Sequence, residues 1–391
     1  MFTNPVSPAV ISRKFFILAA GLVSASALVT LPTQAWAAEN EVVLNLDPSR
    51  DNPRNSEGAF VTLKSGRILF LYTRFRGGAD DASPAHIVRI HTDDEGRTWS
   101  REHRIVVENS GGANVMSVSL LRLHSGAIAL FYLLKNSLID CRPVMRISTD
   151  EAGTWSKPRL VTEAPGYFVL NNDRVIQLQD GRLVMPLAFH RARGSDPKSY
   201  RSWDSRAIVL WYLSDDEGKT WREADDLWAL PARTHTGFQE PGVVELADGR
   251  LFSWMRTDQG AQYGSWSSDA GKRWPLPGIT GLASPESPAS IKRLPDSGDL
   301  LALFNDHSGQ FPFPKGKRSP LVAAISSDGA KTWPRRKLIE SDPDSWYCYT
   351  AIHFTKDAVL LAYCAGDAKV GKLNRLRIRR TTLDWLRTEE P

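Results

Sequence analysis

The chain carries six apolar runs that break at a turn and resume: LKSGRILFLY, LHSGAIALFY, LQDGRLVMPL, LADGRLFSWM, LPDSGDLLALF and FTKDAVLLAY. Their turn residues are Gly66, Gly126, Gly181, Gly249, Gly298 and Asp357, with gaps of 60, 55, 68, 49 and 59 residues. Each run reads as a short β-hairpin. A second repeat interleaves with them, close to Ser/Thr-x-Asp-x-Gly-x-Thr-Trp, beginning at Thr92, Ser148, Ser214, Ser267 and Ser326. This phrase suits a turn between strands: the Asp accepts backbone N–H bonds, the Gly tolerates positive φ and the Trp anchors the turn by burial. The second copy has Ala152 then Gly153, the fourth has Arg273 for the Thr, and the fifth has Gly329 then Ala330. Such loosened copies fit a structural staple, not a catalytic motif.

Hairpins and boxes alternate, so one unit is hairpin, third strand, box turn, fourth strand. Repetition every fifty to seventy residues predicts an all-β, six-bladed propeller of four-stranded antiparallel blades. Residues 1–37 read as a secretory signal: Arg13 and Lys14, an apolar stretch from Phe15 to Leu31, and a small-residue site at Ala35-Trp36-Ala37. Ser24, Ser26 and Thr30 dilute that stretch as a membrane span. The expectation is a secreted or periplasmic protein, free of the membrane after cleavage, with residues 38–391 forming the propeller. The sixth unit lacks a box, so Glu41 to Leu46 is expected to supply its outer strand and close the ring.

A net charge of +5 and a pI near 9.0 admit an anionic partner. With no dense Lys/Arg run, an acidic sugar is the expected partner and no nucleic acid is expected. Cys141, Cys348 and Cys364 are too few for a disulfide scaffold. Cys348 and Cys364 lie on the two arms of the last hairpin, placed either to pair or to remain buried thiols. No His/Cys cluster has metal-ligand spacing, and no cofactor is expected.

A propeller site draws single residues from many blades, so polar residues that break the repeat are the candidates. The loop after the first hairpin carries Arg74, Arg76, Asp80 and Asp81; Gln239-Glu240-Pro241 enter the fourth hairpin and Arg256 leaves it; Arg318 precedes the third strand of the fifth unit; Tyr347-Cys348-Tyr349 open the sixth. On these residues the chain resembles the bacterial exo-sialidases, across all six units. The resemblance implies a general-acid Asp eleven residues ahead of the first box, where Asp81 stands, with Asp80 beside it. It implies a Glu in a Glu-x-x-Val-Val-Glu-Leu phrase, matched by Glu240, and an Arg seven residues after the following Gly, matched by Arg256. A second Arg eight residues before the last box corresponds to Arg318. The nucleophilic Tyr at the start of the sixth blade corresponds to Tyr347 or Tyr349, Tyr347 fitting slightly better.

One departure stands out. The family's Arg-Ile-Pro phrase, ten residues before the first hairpin Gly, is replaced by Ser56 and Glu57, with Arg54 two residues earlier. Arg54 and Glu57 are therefore substrate-binding candidates, together with Arg74 and with Asn172 and Arg174 of the Asn171-to-Arg174 stretch that enters the third unit. Without Arg54 the carboxylate clamp has two arms, Arg256 and Arg318. The implied chemistry is hydrolysis of a terminal acidic sugar with retention. A neutral tyrosine replaces the usual carboxylate nucleophile beside a carboxylated anomeric carbon. Its ordinary pKa of about 10 requires a base, Glu240. The alternative is a non-catalytic propeller that binds glycans or protein.

Overall fold

The computed structural model describes residues 39–388. The expected signal at residues 1–37 lies outside them. Among the described residues the protein is all-β but for a 3-10 turn and a five-residue helix, Leu383–Arg387. Strands Asn55–Thr62, Ile68–Phe75, Ala85–Thr92 and Arg104–Val107 form the first antiparallel four-stranded sheet, in that order. The strands from Gln239 to Ala283 and those from Ser290 to Glu340 repeat the pattern. In the last sheet, Trp346–Phe354, Val359–Gly366 and Leu376–Thr381 are completed by the N-terminal strand Asn40–Leu46. This arrangement of repeated four-stranded sheets fits a β-propeller.

Not every unit is a separate four-stranded sheet. The second and third share one ten-stranded sheet, because Tyr167 pairs in parallel with Cys141 and the Cys141 N–H donates to the Gly166 carbonyl at 3.0 Å. The leading strand of the third unit is also broken, into Tyr167–Val169 and Ile176–Gln177.

The hairpin glycines are required by their backbone: Gly66, Gly126 and Gly249 have φ of 87°, 87° and 82°. In the first box, Thr92 Oγ1 donates to Asp94 Oδ1 at 2.7 Å, which also accepts the Thr98 N–H, and Thr98 Oγ1 donates to Oδ2 at 2.6 Å. The hydroxyl donor to Oδ2 recurs at Thr154, Thr220 and Thr332 and is lost at Arg273, whose N–H still donates to Asp269. The tryptophans are less uniform than the sequence suggests: Trp274 and Trp333 are buried, whereas Trp99, Trp155 and Trp221 are half-buried.

Among the described residues, six apolar clusters pack neighbouring units against one another. One of them packs Phe60, Phe70 and Tyr72 of the first sheet against Ala351, Leu360 and Ile378 of the last. Cys348 and Cys364 are opposed in register, buried and unbridged, and Cys364 Sγ contacts Ser56 Oγ at 3.2 Å.

Candidate active site

Four leading strands share one irregularity. Each of those starting at Asn55, Asn114, Gln239 and Trp346 breaks register once, and the residue in the break has a left-handed backbone. These residues are Glu57 (φ 51°), Ser117 (φ 59°), Glu240 (φ 48°) and Tyr349 (φ 57°). A non-glycine residue there costs on the order of 1–3 kcal/mol, a strain typical of functional positions. A bulge re-aims the side chain it carries, and all four line one cavity of about 470 Å³. Asp173 (φ 59°) is the third unit's counterpart, but its carboxylate accepts from Lys292 Nζ and the Ile352 N–H and braces neighbouring sheets.

Tyr349 donates its hydroxyl to Glu240 Oε1 at 2.8 Å, and Glu240 Oε2 lies 2.7 Å from Arg256 Nη1. Burial opposes the Glu240 charge, but Arg256, Arg318 and these hydrogen bonds outweigh it and hold the carboxyl below its usual range. Burial and the facing Glu240 carboxylate push the Tyr349 phenol well above its ordinary value. Arg256 also pairs with Glu286. Arg318 differs from both: its guanidinium stacks 5.6 Å above the Tyr349 ring, it is 91 % buried, and Nε and Nη1 have no partner among the described residues. A buried guanidinium with free donors calls for an anion.

Asp81 borders the same cavity from an exposed loop. Burial of its surroundings works against its charge, yet Arg54, Lys135 and Arg318 hold the carboxyl below the ordinary range, with Arg54 Nη1 donating to Oδ1 at 2.6 Å. Asp80 instead caps its own loop, accepting from the Ala82 N–H and Ser83 Oγ.

The other candidates are dispersed. Arg54 is fully buried and does not border the main cavity; Asp81, Glu57 and Ser56 occupy its two terminal nitrogens. It braces the Asp81 and Glu57 carboxylates and borders an adjoining hollow that shares Asp81, Lys135 and Tyr167 with the cavity. Tyr347, the slightly better fit by spacing, packs in an apolar cluster edge-on to Tyr363 and faces away from the cavity. Arg74 lines a separate surface hollow with Arg50 and Arg76. Asn172 donates to the Gly58 and Tyr349 carbonyls, and Arg174 to Ser290 Oγ and the Ala289 carbonyl, so both hold strands together.

The sequence reading missed Ser117 and Lys135. Ser117 was detectable, because Glu57, Ser117 and Glu240 each stand nine residues ahead of a hairpin glycine, Gly66, Gly126 and Gly249. Lys135, buried with Nζ 2.7 Å from the Asp81 carbonyl, left no such signal. Among the described residues no cluster of His, Cys, Asp or Glu is placed to hold a metal.

Residues 70–361 match the BNR repeat-like domain family. A sialidase of Micromonospora viridifaciens is 26 % identical over 393 residues, covering 86 % of this chain and 56 % of its own. A sialidase of Bacteroides fragilis (strain YCH46) is 30 % identical over 220 residues, covering 52 % of this chain and 36 % of its own. The chain thus spans about half or less of the curated relatives it matches. Among solved structures, a Hadza microbial sialidase superposes with a TM-score of 0.66 at 21 % identity, over 86 % of this chain and 67 % of its own.

Proposed function

The chain belongs to the BNR repeat-like family within the bacterial sialidase superfamily, and from that premise we propose that it is an exo-glycosidase releasing a terminal acidic sugar, sialic acid or a relative, from glycans. The observation that carries this reading is the Tyr349–Glu240 hydrogen bond beside an arginine, Arg318, whose buried donors are free. A binding module needs no tyrosine paired with a base.

In the proposed reaction Arg318, with free donors, and Arg256, which shares its terminal nitrogens with Glu240 and Glu286, hold the substrate carboxylate. Glu240 accepts the phenolic proton as Tyr349 Oη bonds to the anomeric carbon and the glycosidic C–O bond breaks. Asp81, protonated, gives its proton to the leaving oxygen. Asp81 then takes a proton from water, whose oxygen displaces Tyr349 Oη, and Glu240 returns the proton to the phenolate. The configuration is retained. The Arg54–Asp81 ion pair favours the wrong protonation state for the first step, so the enzyme works best in acid.

We further propose six blades closed into a ring, supported by the cluster that packs first sheet against last and by the N-terminal strand in that last sheet. Secretion through the residues 1–37 signal completes the proposal.

The test is release of aglycone from aryl glycosides of sialic, related nonulosonic and uronic acids. Turnover abolished by Tyr349→Phe supports the reading. No turnover on any of them defeats it, and binding without turnover would make the chain a glycan-binding propeller.

A further inference from the structure

The cavity lining carries two chemically opposite sets of groups. Arg256 and Arg318 present buried donors, including the unpartnered Arg256 Nε and Arg318 Nε and Nη1. Glu57 and Asn171 present acceptors. Glu57 is 3 % exposed and lines the cavity; Oε1 accepts from Arg54 Nη2 at 3.2 Å and, more weakly, from Ser56 Oγ, and Oε2 accepts from Ser117 Oγ. A carboxylate offers about four lone-pair sites, so one remains. Asn171, also 3 % exposed and lining the cavity, has its Oδ1 buried with no partner. Two buried acceptors with spare capacity, reached from separate units, call for a donor.

Glu57 stands beside the sequence position where the resemblance calls for an arginine, and Arg54, two residues ahead of that position, donates to Glu57 and Asp81. Burial pushes the Glu57 carboxyl above its usual range against the pull of Arg54 and Ser117, and while it is ionised an anionic group set against it is repelled at short range.

We propose that Glu57, with Asn171, is the specificity-determining element of the cavity, selecting a sugar that presents a hydrogen-bond donor, hydroxyl or N–H, to them in addition to the carboxylate held by Arg256 and Arg318. This rests on the acidic-sugar reading and narrows its substrate class. A sugar lacking that donor leaves Glu57 and Asn171 desolvated and unpaired, which discriminates more strongly than the loss of an apolar contact.

The experiment compares wild type, Glu57→Gln and Asn171→Ala on 4-methylumbelliferyl glycosides of N-acetylneuraminic acid, its deaminated analogue bearing a hydroxyl in place of the acetamido group, and the ring monodeoxy analogues. Calorimetric binding of the corresponding free acids runs in parallel, and thermal melts confirm folding. The expected result is that removing one donor lowers wild-type kcat/KM about tenfold or more, and that Glu57→Gln compresses this ratio while the others stay. A variant that merely unsettled Arg54 and Ser117 would depress every analogue equally, and an unchanged ratio overturns the assignment. Free acids that bind with the donor preference but glycosides that do not turn over defeat the hydrolase and leave the Glu57 assignment standing. Turnover with no donor preference does the reverse, and failure of every acid to bind defeats both.

Discussion

Tyr349 and Glu240 meet through a 2.8 Å hydrogen bond although they stand 109 residues apart, and each does so from a residue with left-handed backbone. Tyr347, two residues from Tyr349, shares none of this. Tyr349→Phe should therefore lower kcat by about a thousandfold or more, while Tyr347→Phe leaves it within about threefold. Glu240→Gln should cost about a hundred- to ten-thousandfold, the usual range for a general base. Steady-state kinetics on an aryl glycoside of a sialic acid separates the three.

Arg318→Lys keeps the charge but replaces a planar fork with a point donor. Loss of one charge-assisted hydrogen bond, about 1.5–3 kcal/mol, should appear as a KM raised about ten- to hundredfold. Binding of a neutral glycoside of the same aglycone should be unaffected. Equal losses on both would mean that Arg318 serves packing over Tyr349 and not the substrate.

Asp81 must be protonated to act as an acid, and Arg54 and Lys135 lower its pKa. Its activity limb therefore falls as pH rises through that lowered value. Arg54→Gln or Lys135→Met removes one stabilising cation, raises the Asp81 pKa and moves the alkaline limb of kcat/KM upward. A limb that stays in place in both variants would remove Asp81 from the acid role.

The box carboxylates set acid stability. Hydrogen bonds from Thr154 bring Asp150 down to about 2, and those from Thr220 and Thr332 outweigh partial burial to bring Asp216 and Asp328 to about 2. A depressed folded pKa contributes stability that is present above the unfolded value of 3.8 and lost as pH falls towards 2. Urea midpoints should drop steeply across that window, and less steeply once the three are replaced by Asn.

At Gly96 (φ 88°) an added Cβ would sit 2.4 Å from Leu360 Cδ2 of the last sheet. Gly96→Ala should destabilise by about 2 kcal/mol, from backbone strain and overpacking together. Ala330 occupies the same box position with φ 70° and is buried against apolar neighbours. Ala330→Gly should be nearly neutral, since relief of about 1 kcal/mol of strain is offset by about 0.8 kcal/mol for the lost buried methyl. Denaturant titration of both variants checks the contrast.

Turn chemistry is local, which is why the hairpins, the boxes and the N-terminal strand of the last sheet were readable from residue order alone. The convergence of Asp81, Glu240, Arg256 and Arg318 on one cavity was readable too, because the boxes and hairpin glycines act as fixed reference points. Tyr347 and Tyr349 were not separable by pattern. In a regular strand residues two apart share a face, and the register break between Cys348 and Ala351 sends them to opposite sides. Arg74 misled for a related reason: it follows Thr73, whose side chain faces the Glu57 backbone, so alternation turns it outward. Asn172 and Arg174 are polar because carbonyls from other units need donors there, a demand no single stretch of sequence displays.

The left-handed bulges have an evolutionary corollary. Each is a one-residue surplus in a single ladder, anchored behind by a hairpin that need not change. Gain, loss or migration of one residue ahead of Gly66, Gly126 or Gly249 would exchange the group presented to the cavity while every outer strand kept its neighbours. Substrate preference in this scaffold can therefore drift unit by unit through single-codon insertions and deletions, and alignments that forbid gaps inside the leading strands will pair the wrong residues at the site.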